Sequence, residues 1–290
     1  MILNFGSINI DNVYRVAQLV TAGETISAKS FDRFLGGKGV NQSIAIHRAK
    51  GGVKHVGHIG HDVWISEQLK SMDIDLNFIA ETDHATGHAI ISVDDAGENE
   101  IVIFSGANLA FSLSACEKIL AQFAGDASWI VLQNEINLSA DLARMAKVMG
   151  YKVCYSAAPF DAAKVHEILP FVDLLALNET EFGDLQKATG MDASTLGIKM
   201  VLVTLGAKGA KLHIGDDVIT QNSFPVTPVD TTGAGDTFLG SFIARFDAGN
   251  DAATSLRYAS AASAIAVTRM GAAPAIPSEA DVLEFLESHT

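Results

Sequence analysis

The run Val229-Asp230-Thr231-Thr232-Gly233-Ala234-Gly235-Asp236 has the residue types of an anion-binding turn with a base beside it. It follows a β-like, proline-punctuated stretch and opens a helix expected over Asp236–Phe246. Small residues at 233–235 let a ligand approach the main chain closely. The first N–H groups of a helix have no intrahelical acceptor, and the positive end of the helix dipole stands behind them. Together these make an anion site. A carboxylate beside a bound anion is unfavourable unless it has a proton to take. Asp236 therefore reads as the acceptor of a hydroxyl proton, while the N–H groups of Gly233, Ala234, Gly235 and Asp236 hold phosphoryl oxygens. The residue types alone also allow a plain helix-cap carboxylate after a Gly-rich turn. Two familiar phosphate motifs are absent: there is no Gly-x-x-x-x-Gly-Lys-Ser/Thr, and Phe238 stands where a dinucleotide fingerprint needs its third Gly.

A second segment, Gly36-Gly37-Lys38-Gly39-Val40-Asn41-Gln42, ends an extended arm and opens a helix over Val40–Arg48. Gly37 and Gly39 leave room for a ligand against the backbone. Asn41, one turn in, offers both a donor and an acceptor to a hydroxyl. Taken alone, such a Gly-rich helix start is more often a structural turn.

The elements that must position these segments follow a rhythm of short apolar run, turn and helical pattern. Ile2–Phe5, Val53–Ile59, Trp129–Gln133, Lys152–Tyr155, Val172–Leu177 and Met200–Leu205 read as buried strands. Helices are expected over Asp62–Met72, over Ser139–Met149 with Ser139 as N-cap and Gly150 beyond the C-terminus, and over the Ala-rich run Ala252–Val267. A last helix, Ser278–Glu287, is capped by Ser278. Near-continuous apolar strands alternating with helices predict a parallel sheet covered on both faces. Asp11–Phe34 and Gly87–Phe104 break the rhythm. The second is two strands around a polar turn, so the pair suggests a small β lid over about residues 11–35 and 87–104; ordinary surface loops are the competing reading. No linker or repeat divides the 290 residues, which read as one domain, 1–290.

Composition narrows the function. Apolar residues are 48% and charged residues 19%, enough for a large core. The formal net charge of −14 argues against nucleic acid or an anionic membrane as partner. The two cysteines, Cys116 and Cys154, form neither a metal spacing nor a disulfide framework. No apolar run approaches the roughly 18 residues of a membrane span, and no leader is evident, so a cytoplasmic protein is expected.

The two Gly-rich segments stand in order with Gly6-Ser7-Ile8-Asn9-Ile10-Asp11, Gly23-Glu24-Thr25, Gly106-Ala107-Asn108, Gln133-Asn134-Glu135, Asn178-Glu179-Thr180-Glu181, Thr204-Leu205-Gly206-Ala207-Lys208-Gly209 and Ala264–Gly271. Any one piece is weak. As an ordered set, from Gly6 to about Pro277, they resemble the PfkB carbohydrate kinases, and within that family its ribose-phosphorylating members. The resemblance implies a ribokinase-like three-layer αβα sandwich with a mostly parallel central sheet and a small inserted β-sheet lid. It implies transfer of the γ-phosphoryl of ATP to a sugar hydroxyl, with D-ribose to ribose 5-phosphate the foremost reaction. Asp236 would be the base. Asn9, Asp11, Gly37, Lys38, Asn41 and Glu135, with Asp236, would hold the sugar. Asn178, Thr204, Gly206, Gly209, Gly235 and Ser260 would hold the nucleotide. Glu181 would stand near Mg²⁺, through water. A monovalent cation, K⁺, would sit against Asp230, Thr232, Ala266, Arg269, Gly271 and Ala275, mostly on backbone carbonyls. The family also implies a homodimer through the lid.

Some positions depart from the pattern. Ser260 stands where the ribose-directed members carry His, and Ala275 where they carry Ser. Ser156-Ala157-Ala158-Pro159 replaces an Asn-Pro-Ala-Pro-like run. The segment Thr189–Lys199 is short, leaving little room for the helix expected there. The matched sugar positions are all retained, which favours ribose or a close analogue. A kinase for another small sugar, sugar acid or nucleoside is the alternative; a non-catalytic sugar-binding regulator is a third, against which the intact Asp236 and Gly-Ala-Gly speak.

Overall fold

The computed structural model describes residues 1–289. Strand β1 (Ile2–Phe5) runs through a turn into β2 (Asn9–Arg15), and β3 (Ser30–Gly36) leads directly into helix α1 (Lys38–Arg48). Next come β4 (Val53–Ile59), α2 (Val63–Ser71), β5 (Ile79–Glu81), β6 (Gly87–Val93) and β7 (Asn99–Phe104). Alternation then sets in: α3 (Leu113–Gln122), β8 (Trp129–Gln133), α4 (Ser139–Val148), β9 (Lys152–Ser156), α5 (Ala162–Ile168), β10 (Leu174–Asn178), α6 (Glu179–Thr189) and β11 (Met200–Thr204). The chain finishes with β12 (Ala210–Ile214), β13 (Asp217–Gln221), α7 (Ala234–Asp247), α8 (Ala252–Ala266) and α9 (Glu279–Glu287).

The main sheet has nine strands in the order β13-β12-β11-β10-β9-β8-β1-β4-β5. It is parallel from β11 to β5, with β12 and β13 added antiparallel at one edge. The strands are apolar on both faces because both faces are covered. Along β8, Ile130 and Leu132 pack against α3–α6, while Trp129 and Val131 pack against α7 and α8. Burying each such side chain contributes about 1.5–3 kcal/mol. The expected three-layer αβα sandwich is therefore the observed one.

A second sheet of four strands, ordered β3-β2-β6-β7, stands apart from the first. It is built from the two segments that break the sequence rhythm. The join is tight: Gly6 ends β1 against α1, and a Cβ there would lie 2.5 Å from both Gln133 Oε1 and Gly39 Cα. Gly39 has the same constraint from the other side, since its Cβ would meet Ser7 N at 2.4 Å. These two glycines let the turn after β1 and the start of α1 touch backbone to backbone. That contact fixes Ser7 and the Gly37–Gly39 turn against each other.

Several expectations need correction. Ser139 does not cap α4; it is the first helical residue, and its hydroxyl donates to the Gln133 carbonyl at 3.0 Å because that buried strand-end acceptor lies within reach. Helix α7 begins two residues earlier than expected, at Ala234, and α1 begins at Lys38. Strand β10 runs Leu174–Asn178, because the buried Asp173 carboxylate takes the Val153 N–H and the Lys147 ammonium just before it. The proline-punctuated run before Val229 is not a strand. The antiparallel edge β12–β13 has no counterpart among the expected strands, although Gly209 at φ 100° and Gly215 at φ 57° mark its turns. Residues 190–199 carry only turns, organised by Asp192, so the trimmed surface expected there is present.

Candidate active site

Two cavities meet at the start of α7. The larger, about 500 Å³, is walled mostly by apolar groups: Phe224, Pro225, Val226, Ala264 and Val267, with Thr204, Gly206, Gly209, Ser260 and Gly235 at its rim. The smaller, about 200 Å³, is lined by Lys38, Asn178, Glu181, Thr204 and Gly233–Asp236. Thr204, Thr231, Ala234 and Gly235 belong to both walls. A flat apolar group fits the first cavity, and a polyanion running from it would reach the second.

Gly233 precedes α7 with φ 71°, a conformation that suits glycine. Its Cβ would also press on Ala272 Cβ at 2.9 Å. The Ala234 N–H leans back to the Thr231 carbonyl at 3.3 Å, whereas the N–H groups of Gly235 and Asp236 find no backbone acceptor among the described residues. The start of α7 thus has two free N–H donors, with Ala234 as a third weakly engaged one.

Asp236 lies in the first turn of α7, 9% exposed. Its Oδ1 accepts from Gln42 Nε2 at 2.8 Å and its Oδ2 from Asn41 Nδ2 at 3.3 Å. Burial pushes its carboxyl above the ordinary range; the Lys38 cation and the Gln42 donor oppose the shift, and Glu135 adds to it. Lys38 is held above its ordinary range first by Asp236, against burial, and then by Glu135, Glu181 and Asp11.

The sugar-matched residues converge on the same side. Glu135 follows β8, and its Oε2 accepts the Lys38 N–H at 2.9 Å and the Ser7 hydroxyl. Gly37 has φ 101°, and a Cβ there would meet Asn9 N at 2.9 Å. Asn9 Oδ1 accepts from Asn108 Nδ2 at 2.7 Å, and Asn108 Oδ1 accepts from Ile8 N at 2.9 Å. Asn9 is therefore locked with its amide N–H₂ as the end left for a ligand. Gly36 has no side chain because one would strike the Asp11 carboxylate at 2.1 Å. Asn41 Oδ1 is buried without a partner, as an acceptor kept for a ligand would be.

Burial, with Glu135 next, pushes Asp11 up to about 6 against the opposing pull of Lys38. The sign follows from the raised value: the folded state holds this proton more tightly than the unfolded chain, so Asp11 costs stability as pH rises from about 4 through about 6. Asp11→Asn is expected to melt higher than the unsubstituted protein at neutral pH. The gap should close on acidification to about pH 4, as read by thermal unfolding across that range. A gap independent of pH would mean that Asp11 is not buried against those charges.

On the nucleotide side, Asn178 and Glu181 form a capping box: Asn178 Oδ1 accepts the Glu181 N–H and Glu181 Oε2 accepts the Asn178 N–H, both at 2.8 Å. One Glu181 oxygen is thus engaged and the other is left towards the smaller cavity. Ser260 turns its hydroxyl to the Asn222 carbonyl at 3.3 Å and presents little to a base. Asp230 ties two loops together: Oδ1 accepts from Thr232 N–H and hydroxyl, and Oδ2 from Gly271 N–H. Burial works against these bonds, which still hold its carboxyl below the ordinary range. Arg269 points to Asp281 at 3.3 Å, the Ala266 carbonyl takes the Arg269 N–H, and Ala275 is buried.

Ser7, Gln42, Asn108 and Gln133 lie within quoted motif segments but were given no role, and Asn4 was not singled out at all. The signal was available for Asn4, a polar residue inside the apolar run Ile2-Leu3-Asn4-Phe5 with no turn to explain it.

A parallel sandwich with free N–H donors at the start of a helix, a buried carboxylate beside them and a cluster of polar side chains next to it has the parts of an ATP-dependent kinase acting on an alcohol. The chain belongs to the pfkB family of carbohydrate kinases, whose family model matches residues 1–279. It is 34% identical to the ribokinase of Haemophilus influenzae, over 97% of each chain. A crystal structure of ribokinase from Thermotoga maritima superposes with a TM-score of 0.87 at 32% identity, covering 99% of both chains. The structure of Arabidopsis thaliana ribokinase complexed with ribose and ATP has a TM-score of 0.84 at 31% identity, covering 99% of this chain and 98% of that one.

Proposed function

We propose that the chain is an ATP-dependent ribose kinase, making ribose 5-phosphate. The carrying observation is the buried Asp236 carboxylate in the wall of the smaller cavity, beside the free N–H groups at the start of α7 where that cavity joins the larger one. ATP lies with its base in the apolar cleft near Ser260, Gly206 and Gly209, and its phosphates run past Asn178 and Thr204 to Gly235. Ribose lies among Asn9, Asp11, Gly37, Lys38, Asn41 and Glu135. Its hydroxyl oxygen attacks the γ-phosphorus, the bond to the β–γ bridging oxygen breaks, and Asp236 takes the hydroxyl proton. The N–H groups of Gly233–Asp236 and the Lys38 ammonium hold the charge that spreads over the phosphoryl oxygens. A sugar lacking one hydroxyl leaves a buried carboxylate or amide unpaired, which sites of this kind reject by on the order of 10⁴-fold. A panel of sugars and nucleosides assayed with Mg-ATP tests this reading: ribose should give the highest kcat/KM, and preference for a nucleoside would overturn it.

Among the described residues no group of three acidic, His or Cys side chains can hold a metal. Mg²⁺ would be held chiefly by the ATP phosphates and water, with Glu181 in the cavity wall as the protein carboxylate nearest to it, and would supply charge neutralisation on the phosphates. For K⁺, the Asp230 carboxylate is already engaged by N–H and hydroxyl donors, so main-chain carbonyls at Asp230, Thr232, Ala266, Arg269, Gly271 and Ala275 are its natural ligands. The charge would order the loop that carries the anion hole. Replacing Na⁺ by K⁺ at constant ionic strength is expected to raise kcat; equal rates would remove the site.

The four-stranded sheet is proposed as a lid over the sugar, and as the surface for a second copy of this chain. Its edge strand β7 exposes Ile101, Val102, Ile103 and Phe104 in succession, and Ile90 and Phe31 are exposed with them. An apolar edge of that kind invites pairing with another strand. Val102→Glu is expected to turn a dimer into a monomer by light scattering at micromolar concentration; a monomeric unsubstituted protein would contradict it. No helix of the described residues is long and apolar enough to cross a membrane. Cytoplasmic residence, with sugar and ATP rather than nucleic acid or membrane as partners, remains our proposal.

A further inference from the structure

We infer that Gln42 and Gln133 are positioning residues for the base, holding Asp236 through a chain of amide hydrogen bonds that diverges from Gln133 and admits one orientation, so that Oδ2 is the oxygen presented to the acceptor hydroxyl. This rests on the kinase reading above. The chain is continuous. Gln42 Nε2 donates to Asp236 Oδ1 at 2.8 Å, and Gln42 Oε1 accepts from Gln133 Nε2 at 2.8 Å. The same Gln133 nitrogen donates to Asn4 Oδ1 at 2.9 Å. Asn4 Nδ2 donates to the Gly39 carbonyl at 2.7 Å and to Ser43 Oγ at 2.8 Å.

Both ends of this chain accept only: an ionised carboxylate at one end and a backbone carbonyl at the other. The amides between them can therefore be oriented in one way. Gln133 is the node, because its N–H₂ serves two acceptors at once. Its own oxygen has no partner and rests on the bare Cα of Gly6, where a Cβ would lie 2.5 Å away. Asn4, Gln42 and Gln133 are each fully buried, so no solvent is at hand to re-pair a turned amide. If Gln133 ceases to donate, the Gln42 amide loses what fixes it and can set its oxygen against Asp236. Buried amides contribute little net stability over apolar residues of the same shape, so packing alone gives no reason for three of them in one layer. Gln133 touches neither cavity wall, yet its orientation reaches the base through Gln42.

The test is the pH profile of kcat, with KM for the sugar, for Gln42→Met and Gln133→Met, neither of which adds a charge. Lys38 from α1, Glu135 after β8 and Asp11 from β2 also face Asp236, and they are unchanged in both variants. Gln42→Met removes a donor to the ionised base, so kcat should fall on the order of tenfold or more. The acid limb should move up by roughly one pH unit, with KM changing far less than kcat. Gln133→Met removes the donor to Gln42 without adding a charge and should shift the limb in the same direction from a position that lines neither cavity. If Gln42→Met does not fold, Gln42→Leu is read instead, with the limb again expected to rise. An acid limb that stays in place, whether or not the melting temperature falls, overturns the inference and leaves these residues as packing. An unsubstituted protein inert towards ribose but active on another sugar overturns the ribose reading alone, and the same limb is then measured with that sugar.

Discussion

Asp236→Asn is expected to lower kcat for ribose phosphorylation by at least about 10²-fold, and up to about 10⁴-fold, while ribose still binds measurably. The substitution keeps the shape and the neighbours. The amide oxygen can still accept from Gln42 at the Oδ1 position, so the layer beneath it need not collapse. It removes the one function an amide cannot supply, acceptance of the hydroxyl proton as the O–P bond forms. The anion hole of α7 and the Lys38 charge remain, so a residual rate from alignment and electrostatics should persist. The check is initial-rate kinetics with an ADP-coupled assay, beside calorimetric titration with ribose. Near-normal turnover would remove Asp236 from the chemistry. Lost ribose binding would recast it as a sugar ligand first.

Lys38→Met should be the second most damaging change, lowering kcat/KM on the order of 10²-fold or more. Lys38 faces Asp236, Glu135, Glu181 and Asp11, and their summed field keeps it protonated. The relation is reciprocal. Lys38 is the cation that restrains Asp236 and Asp11 from rising further under burial. Without it, the base is ionised only at higher pH, so the acid limb of the kcat/KM profile should move up. The phosphate cavity also loses the positive side chain in its wall. Lys38→Arg keeps the charge on a bulkier head and should restore the limb even where it does not restore the rate. A Met variant whose limb does not move would show that the four carboxylates are too solvated to sense the ammonium.

Much of this arrangement was legible in the sequence because local chemistry and global fold agree. The apolar strands Ile2–Phe5, Val53–Ile59 and Trp129–Gln133 fall where their composition places them. The helix start at Gly233–Asp236 needs only glycine's φ and the unpaired N–H groups to be recognised. Ser278 caps its helix as its type suggests, whereas Asp62, expected inside its helix, is that helix's N-cap. What could not be read is longer in range. Asn108 fixes Asn9 from 99 positions away and Glu135 takes the Lys38 N–H across 97, partnerships that only the sheet order creates. The edge β12–β13 was missed because its strands alternate polar and apolar residues around Gly215, unlike the buried parallel ones. Ser139 was misassigned because a buried carbonyl at the end of β8 outcompeted its own helix N-terminus.

The most direct measurement is a crystal structure of the protein with ribose and a non-hydrolysable ATP analogue. The account requires the ribose 5-hydroxyl within about 2.6–3.2 Å of an Asp236 carboxylate oxygen, with the γ-phosphate on the N–H groups at Gly235 and Asp236. A terminal phosphate turned away from the start of α7, or a sugar bound out of reach of residue 236, would contradict it.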